Sequence, residues 1–224
     1  MAVEVVMKKQ LLSVVCLLLG AALGIGCYLL VSLLTGADAR RPRDGEALPA
    51  IAAQSDGSYR SEDLAALAYD VADCLRAGDY AALSAYIHPV YGLVFSPYST
   101  INLSSNQCFT ANRVAITDDD STIYVWGTKY GTDEPIQLTS KQYFSAYVYN
   151  RDYVNAPVLG LNQIVKSGNA LENVASIFPD GKFVDLHFPA VSADGTDWST
   201  LRMVFEPYND TLKLSALIHC EYTE

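Results

Sequence analysis

The sequence predicts an α+β protein, with N-terminal helices packed on a curved, mostly antiparallel sheet and one transmembrane helix in front. Three observations carry this. Residues 11–34, from Leu11 to Leu34, hold no charged side chain. Apolar residues then recur at helical spacing between Ser61 and Pro89, and period-two alternation takes over from Lys182 onward.

At about 1.5 Å per residue the first run is long enough to cross the roughly 30 Å hydrocarbon core of a bilayer. Lys8 and Lys9 precede it, and Arg40, Arg41 and Arg43 follow. A short basic head before an apolar run is the export pattern, so residues 1–10 are expected in the cytoplasm and the C-terminal part outside. The run exceeds the roughly 7–15-residue core of a cleaved signal, which favours an uncleaved signal-anchor. Cleavage after Ala37-Asp38-Ala39 and lipidation at Cys27, in Gly24-Ile25-Gly26-Cys27, are the alternatives. Against lipidation, the apolar run continues past Cys27 to Leu34. Gly20 and Gly24 have the spacing that lets two membrane helices approach closely, a candidate homodimer contact. Glycine is also simply common in such helices.

Residues 35–60 hold Pro42, Gly45, Pro49 and Gly57 without apolar periodicity and read as a linker. Residues 61–224 are long enough for one domain with a real core. From Asp44 onward 10 Lys/Arg face 23 Asp/Glu, a net charge of −13, which repels phosphate backbones and excludes nucleic acid as a partner. Cys74, Cys108 and Cys220 are too few for a disulfide scaffold, and buried thiols are the favoured reading.

Leu64, Leu67, Val71 and Leu75 define the first helix of the domain, with Ser61 as its cap and Gly78 as its end. Asp79 caps a second helix through Leu83 and Ile87, stopped by Pro89. Strands are expected at residues 93–95, 122–128 and 135–138. Thr139-x-x-Gln142 has capping-box form and opens a helix carrying Phe144, Tyr147 and Val148. Leu171, Val174 and Phe178 suggest a further helical turn before Pro179-Asp180-Gly181.

Lys182–Phe188 alternates Val184, Leu186 and Phe188 against Phe183, Asp185 and His187. Leu201, Met203 and Phe205 alternate with Arg202, Val204 and Glu206. Leu212, Leu214, Ala216, Ile218, Cys220 and Tyr222 are expected to form one face of a long last strand, with Leu217, His219 and Glu221 on the other. Asn209-Asp210 supplies the intervening turn.

The helix pair with LRAGDYAALSAYIHP, followed by an interrupted sheet, resembles the cone-shaped α+β superfamily of nuclear transport factor 2 and ketosteroid isomerase. More narrowly, HPVYGLVFSPY, DWSTLRMVFEPY and LSALIHCEYT resemble uncharacterised exported domains of bacteria that are often anchored as lipoproteins. Neither resemblance implies an activity, since cones serve as enzymes, carriers and scaffolds.

No strong catalytic motif is present: there is no GxSxG and no glycine-rich phosphate loop. The chain has three histidines, no two at ligand spacing on one element, and Asp118-Asp119-Asp120 lacks the alternation of a calcium loop. No metal or cofactor is therefore expected. The candidate ligand-binding residues are Asp185, His187, Arg202 and His219, polar positions on the C-terminal strands. Beneath the helices they would line a cavity where burial shifts pKa values and acid–base chemistry becomes available. On a sheet face open to water they need no explanation, and that reading is favoured. Fifteen tyrosines, among them Tyr124, Tyr130, Tyr143, Tyr147, Tyr149 and Tyr153, suit a surface that recognises a protein or glycan. The functional expectation is a membrane-anchored extracytoplasmic binding module, non-catalytic. The alternative is a small-molecule carrier or a cone-fold enzyme.

Overall fold

The computed structural model describes residues 60–223. Helix α1, Ser61–Ala77, buries Leu64, Ala68, Val71, Ala72 and Leu75 as one stripe. Its cap position is Arg60 rather than Ser61, and the Arg60 guanidinium pairs with Asp63 one turn on at 3.1 Å. Gly78 ends the helix at φ +66°, a left-handed conformation that glycine adopts without steric penalty. Asp79 caps α2, Tyr80–Ser84, by accepting a hydrogen bond from the Ala82 amide at 2.8 Å.

Helix α2 stops before the expected Ile87 because the chain there is drawn into the sheet. The His88 amide donates to Leu214 O at 2.8 Å, and the Leu214 amide donates to Tyr86 O at 2.7 Å. Tertiary pairing overrides a marginal short helix.

The main sheet has six strands in the order β2-β1-β8-β7-β6-β5. These are β1 (Leu93–Ser96), β2 (Gln107–Phe109), β5 (Val158–Leu161), β6 (Lys182–Phe188), β7 (Ser199–Tyr208) and β8 (Thr211–Glu221). Only β1 against β8 is parallel, so the curved sheet is mostly antiparallel. A separate hairpin joins β3 (Ile123–Thr128) to β4 (Pro135–Thr139). Two further short helices flank the hairpin in chain order, α3 (Ala111–Ala115) before β3 and α4 (Ser140–Tyr143) after β4. The Thr139–Gln142 capping box opens α4, which widens into a π-helical turn over Phe144–Val148. Helix α5, Val174–Ile177, precedes β6.

The helices cover the sheet face bearing Leu93, Phe95, Val184, Leu186, Leu201, Met203, Phe205, Leu214 and Leu217. The opposite face carries Val94, Val204, Ala216, Ile218 and Cys220, and it is not open to water. Ile101, Val174, Phe178 and Trp198 from the flanking loops and α5 pack over it.

One register detail reassigns half of β8. Phe205 pairs with Leu214 but Val204 pairs with Ala216, so Ser215 is an extra residue in β8. Leu212 and Leu214 therefore share the helix-covered face with Leu217, while Ala216, Ile218 and Cys220 share the other. The single apolar face expected from strict alternation does not exist.

Among the described residues no helix is long and apolar enough to cross a membrane. The expected membrane run, residues 11–34, and the expected linker up to residue 59 lie outside the described residues.

Candidate functional site

The four sequence-nominated residues fall on two faces of the sheet. Asp185, His187 and Arg202 lie on the face away from the helices, and His219 lies on the helix-covered face opposite Leu201. The bulge at Ser215 produces this separation.

Asp185 and Arg202 sit opposite each other on β6 and β7 and are fully buried. Arg202 Nε donates to Asp185 Oδ1 at 2.7 Å and Nη2 donates to Oδ2 at 3.0 Å, a two-pronged pairing that matches guanidinium to carboxylate. Arg202 Nη1 donates to Glu172, and the Val165 amide donates to Asp185 Oδ2 at 3.1 Å. Burial alone would weaken the Arg202 charge, but Cys220, Asp185 and Glu172 around it raise its pKa well above the ordinary value. The Cys220 thiol, itself pushed up to about 12 chiefly by burial, is neutral at ordinary pH, so the two carboxylates do the pairing.

His187 keeps to the same face, with Nδ1 2.7 Å from Thr200 Oγ1 and its ring tilted against Trp198. Burial lowers its pKa, partly offset by Asp185. Asp185 and Arg202 form an internal ion-pair cluster with Glu172, whose Oε1 is buried without a partner among the described residues, and His187 is held separately by Thr200. The cluster ties the loop at Val165 and Glu172 down onto the sheet.

The helix-covered face has a different chemistry at the C-terminal end of β8. His219 is 2% exposed, and its Nε2 lies 3.0 Å from Glu221 Oε2. In the neutral ring a carboxylate at that distance takes the Nε2 proton's hydrogen bond, and Nδ1 is then an acceptor. Nδ1 is buried and has no partner in the protein. The Tyr147 ring stands perpendicular to the imidazole, with centroids 5.9 Å apart.

Behind Tyr147 the rings continue inward. Tyr147 stacks on Tyr143 at 5.1 Å, and Tyr143 stacks on Trp126 at 3.9 Å. The capping box and the π-helical turn set this stack, since they hold Tyr143 and Tyr147 one wide turn apart on the same side. The Tyr143 hydroxyl is also buried without a partner. Desolvation raises its pKa well above the usual phenol value, and Tyr147 and Tyr98 add to the effect, which brings the three phenols into one electrostatic neighbourhood. Tyr147 is pushed up to about 12, first by burial and then by Tyr98 and Glu221. Glu221 itself reaches solvent, its side chain 39% exposed. Tyr98 and Tyr147 are half-buried and Tyr130 is exposed beside Tyr98, so this end of the layer is a rim between core and solvent.

Glu221 shares a strand face with His219 by period two, which sequence alone displays. Tyr98 was missed because nothing local distinguishes it from the other tyrosines. Among the described residues no group of three or more His, Cys, Asp or Glu is placed to hold a metal ion. Cys74, Cys108 and Cys220 form no disulfide.

No family model matches the chain, and no curated protein does. Among solved structures, one similar chain is described as a calcium/calmodulin-dependent protein kinase II association domain from Xanthomonas campestris. It is 9% identical, with a TM-score of 0.32, covering 80% of this chain and 99% of that one. A second, named Rd1NTF2_05, is 12% identical, with a TM-score of 0.29, covering 71% of this chain and 99% of that one. At these scores neither likeness bears on what the chain does.

Proposed function

We propose that this chain is a membrane-anchored extracytoplasmic binding module, cone-like in architecture, that takes its ligand at the Tyr98–Tyr147–His219–Glu221 rim. One observation carries the reading. A buried imidazole nitrogen faces no protein partner while its other nitrogen is steered by a carboxylate at 3.0 Å. Leaving a buried acceptor unsatisfied costs roughly 1–3 kcal/mol, a penalty that a hydrogen-bonding ligand removes. The interior next to this rim is filled by Trp126, Tyr143, Phe95, Leu201 and Met203, which favours recognition at the rim over chemistry in a deep chamber.

The runner-up is a cone-fold enzyme, favoured by the same Glu221–His219 pair, because a carboxylate-oriented imidazole is also a general base. Fragment screening by nuclear magnetic resonance on the full-length chain separates the readings. Binding predicts that saturable hits perturb His219 and Tyr147 and leave unchanged. Hits confined to the exposed hairpin residues Ile123 and Val125 would sink the rim, and chemical conversion of a hit abolished in His219→Gln would establish the enzyme instead.

A further inference from the structure

We infer that the outer edge of β5 is an interaction surface that takes an extended acidic peptide segment of a partner protein as an added strand. This edge lies three strands away from His219 and Glu221, so it is separate from the rim. Strand β5 is the last of the six-stranded sheet, and among the described residues no strand pairs with its outer side. Leu159 lies opposite Leu186 and so points to the helix-covered face, yet it is 37% exposed. The helices therefore do not cover the sheet out to this edge. The chain that follows β5 does not close it either. A Cβ on Gly160 would stand out from the pleat and meet Val165 and Gln163, which places these residues over the face rather than beyond the edge. A strand with a row of unpaired amides and carbonyls is a template for another chain.

Charge selects the partner. Residues 61–224 hold 9 Lys/Arg against 20 Asp/Glu, so a cation there has many carboxylates to choose from. Arg76, Arg113, Lys129, Lys141 and Arg202 pair with carboxylates, and Arg151 and Lys213 donate to carbonyls. Among the described residues only Lys166 and Lys182 have neither kind of partner, and both are exposed beside β5. Lys166 follows the Val165 amide that bonds Asp185 on the face away from the helices, and it is close enough to the His187 ring to oppose its protonation. His187 is opposite Val158, so this ammonium stands at the Val158 end. Lys182 precedes Val184, which is opposite Leu161, by two residues and shares its helix-covered side at the other end. The two charges thus mark opposite ends and opposite faces of the edge. Residues three apart in an extended strand also point to opposite faces, and they span the length from Val158 to Leu161. The partner's two carboxylates accordingly lie three residues apart. Two β5 edges paired antiparallel would instead bring Lys166 of one copy to the end held by Lys182 of the other, which argues against a second copy.

The test titrates blocked peptides into the full-length chain in a polyoxyethylene detergent and follows the Val158–Leu161 amides by nuclear magnetic resonance. The first probe, acetyl-Thr-Glu-Val-Thr-Glu-Val-Thr-amide, has glutamates three apart. The second, acetyl-Thr-Glu-Val-Glu-Thr-Val-Thr-amide, keeps the composition but puts both glutamates on one face. The third replaces both glutamates of the first by lysine. The first peptide is expected to shift these amides saturably and slow their hydrogen exchange, about threefold more tightly than the second, with no response to the third. Lys166→Gln and Lys182→Gln should each weaken it about threefold, with unchanged amide spectra elsewhere showing that the fold is intact. Alternate amides of a strand point to opposite edges, so of two forms of the first peptide N-methylated on odd or on even residues, one should bind and the other fail. Equal affinity of those two forms would overturn strand addition. Equal affinity of the second peptide would overturn the spacing, and equal affinity of the lysine peptide would overturn the acidic partner. Protection of Val158–Leu161 on raising the concentration of the chain alone would assign the edge to a second copy instead. No saturable shift with the first peptide would overturn the proposal outright.

Discussion

Arg202 is the residue on which the face away from the helices depends. Its guanidinium is fully buried between Asp185 and Glu172, so removing it strands Asp185 as an uncompensated buried carboxylate. Arg202→Met is expected to lower stability by about 3–5 kcal/mol in urea unfolding, and Asp185→Leu combined with it should recover most of that loss. A double variant as unstable as the single one would mean that the pair also organises the loop through Val165. His187 adds a pH dependence. Burial lowers its pKa below the ordinary 6.5, so the folded chain holds it neutral. Its contribution to stability is present above pH 6.5 and is lost as the pH falls below that value toward the folded pKa, because the unfolded chain then binds the proton more readily. The wild-type stability should fall more steeply than that of His187→Gln across this window. Parallel curves would refute the assignment.

At the scale of elements, the path of the chain over that face is set by one close approach. A Cβ at Gly160 in β5 would lie 2.5 Å from Val165 Cγ2 and 2.6 Å from Gln163 O. Gly160→Ala is therefore expected to cost about 1–3 kcal/mol by pushing residues 163–165 outward and detaching the Val165 amide from Asp185. Hydrogen exchange at Val165 should rise in this variant, and protection equal to wild type would contradict the coupling. The same elements show what sequence can and cannot display. Strand β6 was legible because Val184 and Leu186 alternate with Asp185 and His187 through seven residues, and α1 because its stripe recurs over four turns. Strand β2 was not, since three residues carry no period, and β5 was hidden by Gly160 at a sheet edge. The bulge at Ser215 had no sequence mark at all. It turned a correct pairing of His219 with Glu221 on one face into an uncertain statement of which face that was. Burial of Asp185 and Arg202 was equally invisible, because the cover is assembled from separate segments that carry Ile101, Phe178 and Trp198.

For the whole molecule, the charge distribution and the proposed topology bear on each other. A domain with 9 Lys/Arg and 20 Asp/Glu in residues 61–224, a net charge of −11, is repelled by an anionic leaflet, so the expected linker at residues 35–60 would hold it away from headgroups rather than lay it on them. Protease added to intact spheroplasts should then degrade residues 61–224 and leave a membrane-held fragment containing residues 11–34. Breaking the membrane first should change nothing for the soluble part. Protection in intact spheroplasts, lost on lysis, would place the domain in the cytoplasm. The apolar run would then remain an anchor, but Lys8 and Lys9 would have lost the orientation contest to Arg40, Arg41 and Arg43. The rim would face the metabolite pool of the cell, and its ligand would have to be sought there.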